Sequence, residues 1–217
     1  MVMSGESPDQ DTADRPGELT AGVQPYYAHH AGSLAERYES VSFEAVHGDV
    51  LDLLPPPPAR AADIGAGTGR DAAALARRGY DVLAVEPVPE LRQVAQRLHP
   101  IPSVSWTEGS LPELRSLSGP LDLILLSAVW MHLAPADRSP AMGRLAGLLA
   151  PSGILVISLR RGEPPTDRVM YDVPAEEVVS LGETAGLHIV RVAENDTDSL
   201  GRDAIWWQSV VLRREAQ

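Results

Sequence analysis

Cysteine and lysine are both absent from the 217-residue sequence. Without thiols there can be no disulfide, no cysteine-based metal site and no thiol nucleophile. Without lysine there can be no Schiff base and no Walker-type phosphate loop, so arginine supplies every permanent side-chain cation. Positive charge is scarce as well: the net charge is −12 and the isoelectric point about 4.8. That balance argues against non-specific nucleic-acid binding, which needs a net basic face to neutralise phosphates. No run approaches the roughly 18 apolar residues of a membrane span. The opening residues Met1 to Glu6 lack the basic start and apolar stretch of a secretory signal, so the expectation is a cytoplasmic protein without membrane contact. His29, His30, His47, His99 and His188 show no metal-ligand spacing with acids, and no metal is expected.

Residues 1–20 are polar and poor in apolar side chains, too poor to offset the entropy of ordering, and read as a disordered acidic tail. From Tyr26 to Leu54 apolar residues recur at helical spacing, which predicts two helices within a segment spanning 21–58. Pro55 to Pro58 then stiffen the entry to a first strand. Beyond them strand and helix patterns alternate: strands near 60–64, 81–85, 103–106, 121–127 and 153–159, with helices at 70–78, 89–98 and 136–149. Alternation of this kind builds an α/β, three-layer, doubly wound sheet with helices on both faces. Pro174 opens another helix that Gly186 closes. Two last strands, 187–192 and 204–212, are joined by a link rich in Asn, Asp and Gly, which favours a hairpin and an antiparallel final strand. Trp206 and Trp207 are adjacent in that strand and so face opposite sides, one expected in the core.

The most informative stretch is Ala61-Ala62-Asp63-Ile64-Gly65-Ala66-Gly67-Thr68-Gly69-Arg70-Asp71. It reads as the end of a buried strand, a glycine-rich turn and a helix start, the arrangement that forms nucleotide pockets. A dinucleotide fingerprint carries its third glycine three residues after the second, but here Gly69 follows Gly67 by two and Arg70 holds the dinucleotide position. Asp63 beside the turn would repel a pyrophosphate and attract an ammonium or sulfonium group. A cationic nucleoside therefore fits better than NAD. Glu86 ends the next strand, nineteen residues after Gly67, where an acid accepts hydrogen bonds from ribose hydroxyls in several nucleotide folds.

These motifs resemble those of the class I S-adenosylmethionine (SAM)-dependent methyltransferases, and the resemblance continues through Leu121 to Ser127, Val129 to Leu133 and Pro151 to Ser158. It implies a seven-stranded sheet of order 3-2-1-4-5-7-6, a SAM-binding domain over 59–217 and an N-terminal helical lid over 21–58. It further implies that backbone around Gly65, Ala66, Gly67, Thr68 and Gly69 cradles the methionine part of SAM, with Asp63 orienting its ammonium. Glu86 would bind the ribose, Pro87 and Val88 would line the adenine pocket, Ser110 and Leu111 would close its other side, and Ser127 would face the cofactor. Many family members carry Asp where Ser110 aligns, which leaves the adenine amino contact to Glu108, Ser110 or backbone.

His132 follows the fourth strand, where a substrate proton would arrive, and is the candidate general base; a helix-capping histidine is the alternative. Tyr38 and Trp130 are the aromatic candidates for lining the acceptor site. Arg160 and Arg161 follow the fifth strand and could clamp an acidic substrate, or could be solvated loop residues. The reading is a bacterial-type methyltransferase of small molecules, with S-adenosylhomocysteine as product. Its rivals are a SAM-binding regulator without turnover, an NAD-linked oxidoreductase, and a methyltransferase of RNA or protein.

Overall fold

The structure is a computed structural model that describes residues 18–216. Seven strands form one sheet: β1 (Arg60–Ile64), β2 (Asp81–Val85), β3 (Val104–Thr107), β4 (Leu121–Ser127), β5 (Leu149–Arg161), β6 (Leu187–Asn195) and β7 (Trp206–Arg214). Their spatial order is β3-β2-β1-β4-β5-β7-β6, with β7 antiparallel to both neighbours and the other pairs parallel. The expected order and the antiparallel last strand are both present.

Burial on both faces explains why β4 and β5 read as continuous apolar runs. Ile124 and Leu126 join Leu155, Ile157 and Leu159 in a core on one face. Leu123 and Leu125 join Ile154 and Val156 in the core on the other. The period of two divides each run between two cores, so neither face is left to solvent. Helices α3 (Arg70–Arg77), α4 (Pro89–Leu98), α5 (Pro135–Leu148) and α6 (Ala175–Thr184) cover the sheet. Pro occupies the first turn of α4 and α5, where its missing N–H costs nothing.

Before the sheet lie α1 (Glu18–Glu39), α2 (Phe43–His47) and a 3₁₀ turn at Leu51–Leu53. The helix α1 begins inside the span read as tail, and residues 1–17 lie outside the described residues. Ala31 of α1 packs on Val88 and Leu91, with Tyr27, Ala28 and Val94 around them, so the helix lies across the second βα unit. Trp206 and Trp207 are both only partly buried, so the expectation that one is a core residue fails. Each is held by an arginine instead: Arg161 lies 5.0 Å from the Trp206 ring and Arg202 5.9 Å from that of Trp207. No described helix is long and apolar enough to cross a membrane.

Candidate functional site

A cavity of about 230 Å³ opens at the C-terminal ends of β1, β2, β4 and β5, beneath α1. This sheet edge is where open α/β folds bind ligands. The turn after β1 forms its floor. Gly65 has φ +69°, and a Cβ there would sit 2.5 Å from Val129 Cγ2, so only glycine fits. The Gly65 and Ala66 amides bond back to the Val85 carbonyl, tying the turn to β2 at 2.8 and 3.0 Å. Gly67 donates its N–H to Glu86 Oε2 at 2.8 Å, and Val88 donates to Glu86 Oε1 at 2.9 Å. The Glu86 carboxylate thus bridges the two βα turns. Burial pushes its pKa up, against the pull of the Val88 and Gly67 amides. A carboxylate can accept about four hydrogen bonds, so these two leave room for ribose hydroxyls.

Asp63 is 1% exposed, lines the cavity, and neither of its oxygens makes a well-formed hydrogen bond within the protein. Burial and the nearby Asp71 charge raise its pKa well above 3.8, with Arg70 and the Ala72 amide only partly opposing. An orphaned acid in this position calls for a cationic partner. Asp71, by contrast, is saturated: it accepts from His47 Nε2 at 2.9 Å and from Arg70 Nε at 2.6 Å. Burial raises its carboxyl, but His47 and Arg70 together hold it well below the usual carboxylate range. The two buried acids therefore have opposite characters, one fixed in structure and one open to a ligand.

The segment after β4 sets the third wall. Ala128 adopts φ +59°, an unusual value for a residue with a side chain, and its amide donates to Ser158 Oγ at 2.9 Å. The chain then makes a 3₁₀ turn over Trp130–His132. Trp130 is fully buried in the core with Leu133, Leu145 and Ile157, and does not line the cavity. It is corrected from a substrate contact to an anchor: its ring, sunk into the core, fixes the turn that carries His132. His132 lines the cavity; its Nδ1 donates to the Val169 carbonyl at 3.0 Å. That bond assigns the proton to Nδ1, so Nε2 is the acceptor of the 3.0 Å bond from the Tyr27 hydroxyl. Burial lowers the His132 pKa, against the Val169 carbonyl, and the Arg168 charge lowers it too. With the proton on Nδ1, the basic nitrogen is Nε2, on the Tyr27 side of the ring.

The remaining sequence candidates divide. Ala66, Thr68, Pro87, Ser110, Leu111, Ser127, Tyr38 and Arg160 all line the cavity. Gly69 does not; it opens α3 with φ +84° and packs on Trp106, where a Cβ would approach to 3.1 Å. Arg161 is a second correction. It is drawn away by Asp172 at 2.7 Å and Gln208 at 2.5 Å, and is not in the cavity wall. Glu108 also turns outward, to Arg92 at 3.1 Å, leaving Gly109 and Ser110 at the wall.

Other lining residues were not chosen as site candidates from the sequence. Tyr27, Asp71, Arg168, Asp198 and Arg202 reach the site from four separated segments. Asp71 had a signal, an acid in the first turn after a glycine-rich loop. The others sit on α1, on the β5–α6 connection (Arg168) or on the β6–β7 connection (Asp198, Arg202), where only tertiary structure brings them inward. Glu39 completes the closure: its carboxylate accepts from Thr68 Oγ1 at 2.7 Å and pairs with His99 Nε2 at 3.1 Å, fastening α1 to the glycine turn.

The donor and acceptor set fits SAM: a buried acid without a well-formed hydrogen bond for the ammonium, a bridging acid for the ribose, and the apolar residues Val88 and Leu111 for a base. Comparison with known proteins agrees. Residues 62–157 match the family model of a methyltransferase domain. An uncharacterized methyltransferase of Mycobacterium tuberculosis is 34% identical over 103 residues, 48% of this chain and 40% of that protein. The biotin biosynthesis bifunctional protein BioHC of Cellvibrio japonicus is 32% identical over 66% of this chain and 31% of its own length. The chain thus spans less than half the length of these curated relatives. In fold it is similar to the Burkholderia thailandensis 1,6-didemethyltoxoflavin-N1-methyltransferase, solved with its substrate and S-adenosylhomocysteine: TM-score 0.72, 20% identity, covering 96% of this chain and 94% of that one. Sheet order, glycine turn, paired acids and sequence match converge: residues 62–157 match a methyltransferase domain, and the fold is similar to that of SAM-dependent methyltransferases.

Proposed function

We propose that the protein transfers a methyl group from SAM to a small-molecule acceptor. When bound, SAM supplies a methyl group on a positively charged sulfur. The reading rests above all on Asp63, a buried carboxylate with no well-formed hydrogen bond, in the same cavity as the Glu86 bridge and His132. Asp63 binds the ammonium, the side-chain-free glycine turn lets the backbone approach the methionine part closely, and Glu86 accepts from the ribose. Methyl transfer is an in-line displacement, so the protein's main contributions are alignment and the exclusion of water. The segment over residues 21–58 acts as the lid that supplies the second. A site roofed by Tyr27 and Tyr38 suits a small acceptor better than a folded polymer.

His132 Nε2 takes the acceptor's proton. In the ligand-free arrangement the Tyr27 hydroxyl occupies that nitrogen. Burial raises the Tyr27 pKa so far that a phenolate relay is costly, so the acceptor's own O–H or N–H replaces the Tyr27 hydroxyl at Nε2. The test is incubation with SAM and fractionated small-molecule extract, reading S-adenosylhomocysteine by mass spectrometry. Wild type forms the product. His132→Ala should turn over roughly 100-fold more slowly with SAM affinity within a few-fold, in line with the worth of a general base. Unchanged turnover in that variant would remove His132 from the chemistry.

A further inference from the structure

Arg160, Arg168 and Arg202 line one cavity in a protein whose net charge is −12. Such a local concentration runs against the overall field, which by itself repels anions. A guanidinium does not lose its proton, so its charge has to be met where it sits. Arg202 is met: Asp198 accepts from its Nε at 2.9 Å and from a terminal nitrogen at 2.7 Å. Asp198 is also committed to Trp207 Nε1 at 2.8 Å, so little of its capacity remains.

Arg160 is 8% exposed and donates to the carbonyls of Gly162 and Glu163, at 3.3 and 3.0 Å. Among the described residues no carboxylate forms an ion pair with it. After burial, the strongest influences on Arg160 are the repulsions of Arg202 and Arg168, ahead of the attraction of Asp198. Arg168 gives one nitrogen to the half-exposed Asp167 at 2.9 Å and lies 4.6 Å from the Tyr26 ring centre. Its Nε is buried and has no acceptor among the described residues. It also acts on His132, Tyr27 and Tyr38, which places this cationic wall beside the base.

We propose that the acceptor carries an anionic group, a carboxylate or a phosphate, held by Arg160 and Arg168 with Arg202 behind them. This rests on reading the cavity as a methyl-transfer site and adds the class of acceptor. The planar fork of each guanidinium matches two oxygens of either anion. Met131, Met170 and Trp207 line the same cavity and cover the carbon skeleton that the anion anchors. The anion is the handle, and the methyl-accepting atom is elsewhere on the molecule, toward His132.

The test is calorimetric titration of protein saturated with S-adenosylhomocysteine, using benzoate, phenyl phosphate and the neutral isostere benzamide. At least one anion should bind tenfold or more tightly than benzamide, and which one does so separates a carboxylate from a phosphate. Arg160→Gln and Arg168→Gln should each remove most of that preference while keeping S-adenosylhomocysteine affinity within about threefold, which also reports that the variants fold. Arg168→Gln decides the matter if loss of the Arg160 bonds to the 162–163 loop unfolds the other variant. A preference below tenfold, or one that survives Arg168→Gln, overturns the inference while leaving methyl transfer intact. Failure of the wild type to bind S-adenosylhomocysteine would overturn the site reading itself, and this inference with it.

Discussion

Asp63 works against the ligand-free fold. A carboxylate with no well-formed hydrogen bond at 1% exposure is a cost that a bound ammonium can convert into affinity. Its folded pKa lies above the ordinary 3.8, so the unfolded chain releases this proton at lower pH than the native protein does. Native stability from this group is therefore intact below 3.8 and falls as pH rises toward the folded value. Binding of an ammonium favours the ionised form, so S-adenosylhomocysteine affinity should rise across the same window. Asp63→Asn should flatten that rise, weaken binding roughly tenfold or more, and stabilise the ligand-free protein by about 1–3 kcal/mol in denaturant titration. A variant that binds as well as wild type would detach Asp63 from the ligand. At this scale the sequence was legible where function attaches to a turn: Asp63, Gly65, Gly67 and Glu86 are close to one another along β1 and β2. It misled at Trp130 and Arg161, because a side chain next to a site in sequence can point into the core or toward a neighbouring strand.

The helix α1 is held over the cavity by a small apolar cluster around Ala31 and by a few polar contacts. Glu39 joins Thr68 and His99, Tyr27 meets His132, and Arg70 reaches the Tyr38 carbonyl at 3.4 Å. Each such contact contributes on the order of 1 kcal/mol, so α1 is the element most easily released without unfolding the sheet. Glu39→Ala removes two of these contacts. It should speed amide hydrogen exchange in α1 by roughly tenfold or more and leave β1 and β4 unchanged. Equal acceleration in the sheet would mean that α1 belongs to the same cooperative unit. Strands and sheet-covering helices were legible because β4 and β5 bury both faces and proline or glycine marks several ends. A helical segment over the cofactor mouth was expected from the sequence, but not the contacts that fix α1, since they join residues separated by 29, 60 and 105 positions.

For the whole molecule, the sheet order places the ends of β1, β2, β4 and β5 around one cavity, where Asp63, Asp71 and Glu86 gather at the glycine turn while Arg160, Arg168 and Arg202 come from the end of β5 and the later connections. The acidic glycine-turn wall is suited to the cation of the cofactor and the arginine wall to an anionic acceptor, in a protein whose net charge of −12 favours neither nucleic acid nor acidic ligands at large. That order was legible through the methyltransferase resemblance of the glycine turn and its following strands. Of the arginine wall only Arg160 was legible, because Arg168 and Arg202 join it only when the connections around β5, β6 and β7 fold back across the sheet edge. The central claim is that this cavity holds the methyl donor, and calorimetric titration with S-adenosylhomocysteine, with NADH as the control, tests it most directly. The account predicts saturable binding of S-adenosylhomocysteine that is lost in Glu86→Ala, and no binding of NADH. No heat with S-adenosylhomocysteine, or binding indifferent to Glu86→Ala, would contradict it.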